Sequence, residues 1–303
     1  MNGSLRGRTV LVTGGAGFIG SHLAERLLVD NEVRILDDLS SGSRENVPDG
    51  AVFTEGDLRE TERLREVTEG VDVIFHEAAL VSVQESITAP QHSHEINVSA
   101  TLSLLERARE IDARVVLASS AAVYGDPRRT PIAECHPKEP LSPYGLEKLM
   151  IGQYARIYYE LYDLETVVLR YFNVYGPRQG SGEYSGVVTV FLDQARRGEP
   201  LTVHGDGTQT RDFVHVDDVV QANLLAATTD EVGKAYNVGT GASVSVAELA
   251  RTVREVTGTD SEVVHTDARA GDISESEADI GKARTSLGYE PTVAFEEGLR
   301  TLL

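Results

Sequence analysis

The sequence contains no tryptophan, a single cysteine and two methionines, and it has no long apolar run. Cys135 has no second cysteine with which to form an internal disulfide or a thiolate metal site. No stretch approaches the roughly 18 apolar residues of a transmembrane helix, and the short apolar stretch near the N-terminus continues directly into glycines. These absences predict a cytoplasmic protein that has neither a membrane span nor a signal peptide.

Lysine is also scarce. Of the 28 basic residues only four are lysines, namely Lys138, Lys148, Lys234 and Lys282, and the remainder are arginines. The 48 acidic residues bring the formal net charge to -20, which argues against binding to nucleic acid because phosphates require a basic surface. An acidic surface with few ammonium groups predicts a halophilic protein, in which salt screens the self-repulsion. The alternative is an acidic enzyme adapted to ordinary salt.

Short β-branched segments alternate with helical patterns in the first half of the chain, which predicts a doubly wound parallel sheet. Six strands are expected, over residues 8–14, 32–37, 51–57, 71–79, 113–120 and 166–172. The spacing of apolar residues predicts a long helix over 90–110. Another helix is predicted to begin at Ser142, with Pro143 in its first turn, and to end near Tyr162.

The pattern loosens after Phe172, where Gly and Pro cluster and the strands become shorter. We therefore expect an α/β fold in which residues 1–172 form a dinucleotide-binding domain and residues 173–303 form a smaller lobe that binds the substrate. A helix and a strand near 212–240 are predicted to return to the main sheet, so that the two lobes interleave.

The segment TGGAGFIG, residues 13–20, joins the first predicted strand to the first helix. Gly14, Gly17 and Gly20 permit a tight turn there and let backbone N–H groups meet a pyrophosphate at the positive end of the helix. Asp37 ends the second strand 17 positions after Gly20. A carboxylate at this place accepts hydrogen bonds from ribose hydroxyls and repels a 2′-phosphate, which predicts NAD rather than NADP. Asp38 competes for the same role.

Tyr144 and Lys148 are four residues apart, which places both side chains on one face of the predicted helix. A tyrosine beside a lysine can become a usable base, but such pairs also occur by chance on surface helices. The pair therefore needs support from the rest of the chain.

Six segments occur in an order that resembles the extended short-chain dehydrogenase/reductase family, and within it the UDP-glucose 4-epimerase branch. They are TGGAGFIGSH, GDL at 56–58, HEAA at 76–79, SSAAVYG at 119–125, SPYGLEK at 142–148 and RYFNVYGPRQ at 170–179. The resemblance covers nearly the whole chain. It implies a Rossmann-type fold, bound NAD, a UDP-sugar substrate and a homodimer in which the helix with Tyr144 and the helix before the fifth strand form the interface.

The resemblance also implies the catalytic residues, which are Ser120, Tyr144 and Lys148. In that family the tyrosine removes the proton of the sugar 4-hydroxyl while its hydride leaves for the nicotinamide. The 4-keto sugar then turns over and takes the hydride back on its opposite face. A free phenol has a pKa of about 10, and we expect the lysine cation and the nicotinamide ring to lower the pKa of Tyr144.

Further residues are assigned to binding by the same resemblance. The expected cofactor contacts are Gly14, Gly17, Phe18, Ile19, Gly20, Asp37, Asp57, Leu58, Ala78, Ala79, Tyr144 and Lys148. The expected substrate contacts are Ser120, Tyr144, Asn173, Val187, Arg211, Arg269 and Asp272, where the arginines suit a diphosphate. Ser276, four residues after Asp272, replaces a bulky residue that restricts the sugar pocket in the family. UDP-N-acetylhexosamines are therefore expected as substrates besides UDP-glucose and UDP-galactose.

Three other functions compete with this interpretation. A nucleotide-sugar 4,6-dehydratase has an Asp-Glu pair where this chain has Ala121 and Ala122. A UDP-glucuronate decarboxylase needs the same serine, tyrosine and lysine, but it usually has a glutamate at the place of Ala121. A non-catalytic dinucleotide sensor would have lost the tyrosine and the lysine. His92 and His94 lack a third ligand nearby, so we expect a surface pair and no metal site.

Overall fold

The computed structural model describes residues 5–180, 186–268 and 273–303. Its central sheet begins with six strands, which are β1 (Thr9–Thr13), β2 (Glu32–Asp37), β3 (Val52–Glu55), β4 (Val73–His76), β5 (Arg114–Ser120) and β6 (Thr166–Tyr171). Four short strands follow before the sheet is completed, and these are β7 (Asn173–Tyr175), β8 (Leu201–His204), β9 (Thr210–Arg211) and β10 (Phe213–His215). The seventh strand of the sheet is β11 (Lys234–Val238).

The seven strands lie in the order β3-β2-β1-β4-β5-β6-β11, and each neighbouring pair is parallel. The predicted doubly wound Rossmann-type sheet is therefore confirmed. The chain returns to the sheet through β11, as the sequence predicted for the segment near 212–240. The division into two lobes at residue 172 stays a prediction.

Helices cover both faces of the sheet. They are α1 (Phe18–Leu27), α2 (Thr61–Thr68), α3 (Val83–Thr88), α4 (Pro90–His94), α5 (Ala100–Ile111), α6 (Pro143–Tyr162), α7 (Val187–Arg197), α8 (Val216–Ala226), α9 (Val246–Thr257), α10 (Gly281–Leu287) and α11 (Phe295–Arg300). A π-helical turn, Glu95–Ser99, joins α4 to α5, so the long helix predicted over 90–110 is continuous but locally widened. Short 3-10 turns lie at Arg44–Asn46 and Ala121–Tyr124.

The two core layers follow from the alternation of side chains along the strands. In β1, Val10 and Val12 pack on the α1 and α8 side of the sheet, whereas Leu11 packs on the side of α2, α5 and α6. All three side chains are fully buried. The runs of consecutive apolar residues in the sequence arise because a parallel sheet is covered on both faces.

Helix α6 begins where the sequence predicted. The Ser142 hydroxyl oxygen accepts a hydrogen bond from the Gly145 N–H at 3.1 Å, and Pro143 occupies the first turn, where a missing N–H costs nothing. The helix ends at Asp163, which adopts a left-handed conformation with φ of 55°. Ile151 and Ala155 anchor the helix against the sheet. This fixed start determines where the first two turns of α6 present their side chains.

The second half of the chain encloses a smaller core. Helices α7, α9 and α11 pack there with β8 and β10, and the two remaining strands are β12 (Val244–Ser245) and β13 (Val263–Thr266). Strand β13 pairs with β8, β12 with β9, and β10 with β7. Among the residues that the structure describes, none of the helices combines the length and the apolar composition that a membrane span requires.

Candidate active site

A cleft of about 430 Å³ opens at the carboxyl ends of β1 and β2. The strand order reverses between β1 and β4, and such a reversal leaves a crevice beyond the carboxyl ends of the strands in open α/β sheets. The predicted cofactor residues that line the cleft are Gly14, Asp37, Asp57, Leu58, Ala78 and Ala79. Tertiary structure thus brings together residues from four separate strand ends.

The glycine loop has the close backbone approach that a dinucleotide needs. Gly14 has φ of +71°, and a Cβ atom on it would lie 2.6 Å from the Ala78 nitrogen. A Cβ atom on Gly20 would lie 2.2 Å from the Gly14 carbonyl oxygen. Both positions therefore exclude any larger side chain, which leaves the space above the loop open to a phosphate.

The first turn of α1 offers the backbone donors. Gly17 precedes the helix and carries no side chain, so it does not cap the first-turn N–H groups. Phe18 and Ile19 provide the first two of these groups. The chemistry of the loop and the helix start therefore fits the pyrophosphate of NAD.

Asp37 is buried behind the glycine loop. Its Oδ2 atom accepts a hydrogen bond from the Ala16 N–H at 2.9 Å, and its Oδ1 atom accepts one from the Leu39 N–H at 2.8 Å. Burial raises the pKa of the carboxyl group, and the two backbone hydrogen bonds oppose that rise. Asp38 also lines the cleft, but its Oδ1 atom binds the backbone and the hydroxyl of Ser40. Asp37 is thus tied directly to the loop that would hold the cofactor.

The far end of the cleft is formed by the residues after β3. Leu58 offers an apolar side chain there, and Asp57 forms a salt bridge of 2.6 Å with Arg59. The hydrogen bond from Arg59 lowers the pKa of Asp57. His92 also lines this end, so it contributes to the cleft as well as to the surface pair that the sequence predicted. The described residues contain no group of three or more His, Cys, Asp and Glu side chains that could hold a metal ion.

Ser120, Tyr144 and Lys148 come together at the carboxyl end of β5. Ser120 ends that strand, and its hydroxyl oxygen accepts a hydrogen bond from the Ala122 N–H at 3.1 Å. The Ser120 hydroxyl also acts on the Tyr144 phenol, whose pKa it lowers. The Lys148 Nζ atom lies 5.9 Å from the centre of the Tyr144 ring and donates a hydrogen bond to the Ala118 carbonyl at 3.1 Å. The structure therefore joins the three residues that the resemblance selected.

The pKa of Tyr144 is raised in the structure, whereas the sequence analysis expected the lysine and the nicotinamide ring to lower it. Burial raises the pKa of Tyr144, and the Ser120 hydroxyl opposes the rise. Burial also lowers the pKa of Lys148 to about 8, while Glu77 and Glu147 act in the opposite direction. Within the chain itself the phenol is thus not activated, because desolvation outweighs the opposing effect of Ser120.

Two features behind Tyr144 were not found from the sequence. Glu147 is 3% exposed, and its Oε2 atom accepts hydrogen bonds of 2.7 Å from the Ser93 hydroxyl and the Asn97 amide. The Tyr144 N–H donates to the hydroxyl oxygen of buried Ser86 at 3.2 Å. A glutamate between the tyrosine and the lysine of a helix was a visible signal, but its partners lie about 50 residues earlier in the chain.

Glu77 is a second acidic residue that sequence reasoning missed. It follows β4 directly, and its Oε1 atom accepts a hydrogen bond of 2.8 Å from the Tyr171 hydroxyl. The Asn223 side chain donates to the same hydroxyl at 2.8 Å. A charged residue within the apolar stretch VDVIFHEAA was the signal that could have revealed it.

The predicted substrate residues lie mostly on elements after the main sheet. Asn173 is exposed at the start of β7, and Val187 is the first residue of α7. Arg211, in β9, is 9% exposed and donates a hydrogen bond to the Thr210 carbonyl at 2.7 Å. Arg269 and Asp272 lie outside the described residues.

Ser276 is almost completely buried, with 2% of its surface exposed. Its N–H donates to the Thr210 carbonyl at 3.1 Å, next to Arg211 in the chain. The small residue thus lies beside one of the predicted diphosphate contacts.

Residues 10–239 match the sequence profile of the NAD dependent epimerase/dehydratase family. The chain belongs to this family. One curated relative is a putative UDP-glucose 4-epimerase from Methanocaldococcus jannaschii. It is 40% identical to this chain over 298 residues, which is 97% of each chain. The extended short-chain dehydrogenase resemblance, and its epimerase branch, are therefore confirmed.

Solved structures agree with this result. The UDP-N-acetylglucosamine 4-epimerase from Methanobrevibacter ruminantium M1, in complex with UDP-N-acetylmuramic acid, superimposes with a TM-score of 0.95 at 36% identity and covers 98% of this chain and 97% of its own. The UDP-glucose 4-epimerase from Thermotoga maritima, with UDP-glucose, gives a TM-score of 0.94 at 38% identity and covers 97% and 96%. The epimerase/dehydratase fold therefore extends over almost the whole chain.

Proposed function

We propose that the protein is an NAD-dependent nucleotide-sugar 4-epimerase that interconverts UDP-glucose and UDP-galactose through a transient 4-keto sugar. The observation that carries the proposal is the convergence of Ser120, Tyr144 and Lys148 beside a glycine loop built for a dinucleotide. Membership of the family and the high similarity to 4-epimerases support it.

Each of the three residues has a separate task in this proposal. Tyr144 takes the proton from the sugar 4-hydroxyl and later returns it to the 4-oxygen of the inverted sugar. Ser120, whose hydroxyl lowers the pKa of Tyr144, orients the sugar 4-hydroxyl. Lys148 places a cation beside the phenol, and we assign it also to the nicotinamide ribose. Bound NAD supplies the acceptor and the donor of the hydride.

The substrate is held mainly by its nucleotide. We assign Asn173 and Arg211 to the diphosphate and Val187 to the uridine pocket, and Arg269 and Asp272 remain predicted partners of the diphosphate and the ribose. Binding energy from the nucleotide retains the 4-keto sugar while the sugar itself turns over.

We also propose that UDP-N-acetylhexosamines are accepted. Ser276 is a small residue next to the predicted diphosphate contacts, so a bulky group at the sugar 2-position meets less obstruction. The similarity to a UDP-N-acetylglucosamine 4-epimerase supports this assignment.

A homodimer formed through α5 and α6 is a further part of the proposal. Leu146, Leu161 and Tyr162 of α6 are 49%, 67% and 48% exposed, which is unusual for large apolar side chains on one helix. The halophilic character and the cytoplasmic location expected from the sequence also stay predictions.

The function is tested by incubating the protein with UDP-galactose at high salt and analysing the nucleotide sugars. We expect UDP-glucose to form until both sugars are present, without net production of NADH. A product that has lost carbon dioxide or water would contradict the proposal and favour a decarboxylase or a dehydratase. Bound NAD without any product would favour a dinucleotide sensor.

A further inference from the structure

Glu77 has no task in the mechanism described above, although it lies next to the catalytic group. It follows β4 at the carboxyl edge of the sheet, and its N–H donates to the Thr13 carbonyl of β1 at 3.1 Å. A Cβ atom on Gly14 would lie 3.0 Å from the Glu77 carbonyl carbon. The next two residues, Ala78 and Ala79, line the cofactor cleft. The backbone of Glu77 therefore belongs to the wall on which the glycine loop rests.

The carboxylate of Glu77 is held in one place by a chain of hydrogen bonds. The Tyr171 hydroxyl donates to its Oε1 atom, and the Asn223 amide donates to that hydroxyl, each at 2.8 Å. Asn223 is fully buried and also donates to the Val219 carbonyl at 3.0 Å. A side chain that is fixed by partners from β6 and α8 keeps its charge at a defined position.

Two carboxylates interact electrostatically with Lys148, and they face different surroundings. Glu147 is 3% exposed, and two buried donors, the Ser93 hydroxyl and the Asn97 amide, already bind its Oε2 atom. Glu77 leaves the sheet beside Ala78, which lines the cleft. Of these two carboxylates, Glu77 is the one whose next residues in the chain, Ala78 and Ala79, line the cleft.

We propose that Glu77 is a positioning residue that makes the cleft prefer the oxidised form of the nicotinamide cofactor over the reduced form. The two forms differ by one positive charge on the nicotinamide ring. Lys148 already brings a cation to this site, and a second one would be repelled unless a fixed negative charge offsets it. The inference rests on the proposed use of NAD in this cleft.

The titration of Glu77 is consistent with this role. Burial raises its pKa to about 7, while the Tyr171 hydrogen bond and Lys148 act to lower it. Lys148 of α6 and Tyr171 of β6 are the titratable groups that interact with it in the described part of the chain, and α8 contributes the uncharged Asn223. A cation in the cleft favours the ionised carboxylate, so affinity for the oxidised cofactor should rise with pH through about 7.

The test uses the full-length protein, freed of copurified nucleotide, and measures the dissociation constants of NAD and NADH by calorimetry. Glu77→Gln keeps an acceptor for Tyr171 and removes only the charge. We expect the variant to bind NAD about tenfold more weakly, as for a change of about one pKa unit, and NADH with less than about a twofold change. In the wild type the preference for NAD should grow several-fold between about pH 5.5 and 7.5, and in the variant it should stay constant.

Glu106→Gln is the matched control, because Glu106 accepts a hydrogen bond from Tyr158 in the same manner but on α5, outside the cleft. It should leave both affinities unchanged. An equal loss of NAD and NADH affinity in Glu77→Gln, or no loss, would overturn the inference by showing a purely structural role. If the variant does not fold, a pH-independent preference in the wild type overturns it equally. Binding of neither cofactor form would overturn the proposed function as well.

Discussion

A buried phenol beside a buried lysine titrates differently from a free one, and Tyr144 is in this position. Desolvation raises its pKa, so a proton leaves it only when positive charge accumulates nearby. Lys148 provides one such charge, and the oxidised cofactor of the proposed reaction provides another. We therefore expect Tyr144 to act as a base only when the oxidised cofactor is bound in the cleft beside Lys148.

Tyr144→Phe should abolish epimerisation while NAD affinity stays within about twofold of the wild type. The phenol oxygen is the only atom removed, and a general base contributes roughly 10²- to 10⁴-fold to a rate. Turnover of UDP-galactose and calorimetric binding of NAD measure the two effects. Tyr162→Phe, on the exposed end of the same helix, is the control and should keep full activity. Activity above about a tenth of wild type in Tyr144→Phe would contradict the assignment.

Ser276 provides a prediction about the sugar. Ser276→Tyr should abolish turnover of UDP-N-acetylglucosamine and preserve that of UDP-glucose, because a large ring fills the space that an N-acetyl group needs. Competition of the two substrates, followed by mass and sugar composition, measures the change. Ser274→Tyr, at an exposed neighbour, serves as the control. The idea fails if UDP-N-acetylglucosamine is unused by the wild type and UDP-glucose turnover is equal in both proteins.

The elements around the cleft show how local sequence is turned into a site. Helix α6 is capped by Ser142 and opened by Pro143, so Tyr144 and Lys148 fall in its first two turns at the end of β5. The Ser119 hydroxyl donates to the Lys148 carbonyl at 3.1 Å and fixes α6 against that strand. Ser119 and Ser120 thus serve opposite faces of one strand, since successive side chains alternate.

The glycine turn between β1 and α1 can be tested for its role in NAD binding. Gly20→Ala should weaken NAD binding by at least about tenfold, because the new methyl group would lie against the Gly14 carbonyl and displace the loop. Gly152→Ala is the matched control within α6, where the added Cβ meets only Val168 at 3.7 Å. The control should keep NAD affinity and gain roughly 0.5 to 1 kcal/mol in the free energy of unfolding. Equal NAD affinity in both variants would show that the loop does not bind the cofactor.

The whole molecule carries a formal charge of -20, because 48 acidic residues outnumber 28 basic ones, and ion pairing therefore leaves many carboxylates without a basic partner. Most of the salt bridges lie on the exposed surface, as between Arg156 and Glu160 on α6, and such pairs contribute little to stability. Long-range repulsion among the acidic side chains therefore opposes the compact state at low ionic strength.

We expect the melting temperature to rise steadily from low to molar KCl. Salt shortens the Debye length from about 30 Å at 0.01 M to about 3 Å at 1 M, which removes the repulsion between separated carboxylates. Calorimetry across the series measures the effect, and sucrose at matched osmolality serves as a control for simple exclusion from the surface. A melting temperature that does not increase with KCl would refute the halophilic interpretation.

Much of the site could be predicted because its signals are local in the chain. The glycine loop, Asp37 at a strand end, and the cap of α6 are each specified by a few consecutive residues, and the structure places them where the patterns indicated. The binding roles of Asn173, Val187 and Arg211 stay predictions, because the structure shows their positions and not their partners. Arg269 and Asp272 lie outside the described residues, so their binding roles also stay predictions.

The sequence by itself determined the class of fold and, through its resemblance to a known family, indicated the cofactor and the three residues that meet at the end of β5. Their patterns depend on backbone conformation and on side-chain spacing along one element, which neighbouring residues largely decide. Only the tertiary structure decided the electrostatic setting of Lys148 and the place of Glu77. The hydrogen bond from Tyr171 to Glu77 joins residues 94 positions apart, and that from Asn223 to Tyr171 joins residues 52 positions apart. Such contacts arise only when the packed sheet brings distant strand ends together, and burial then raises the pKa of Glu77 and lowers that of Lys148.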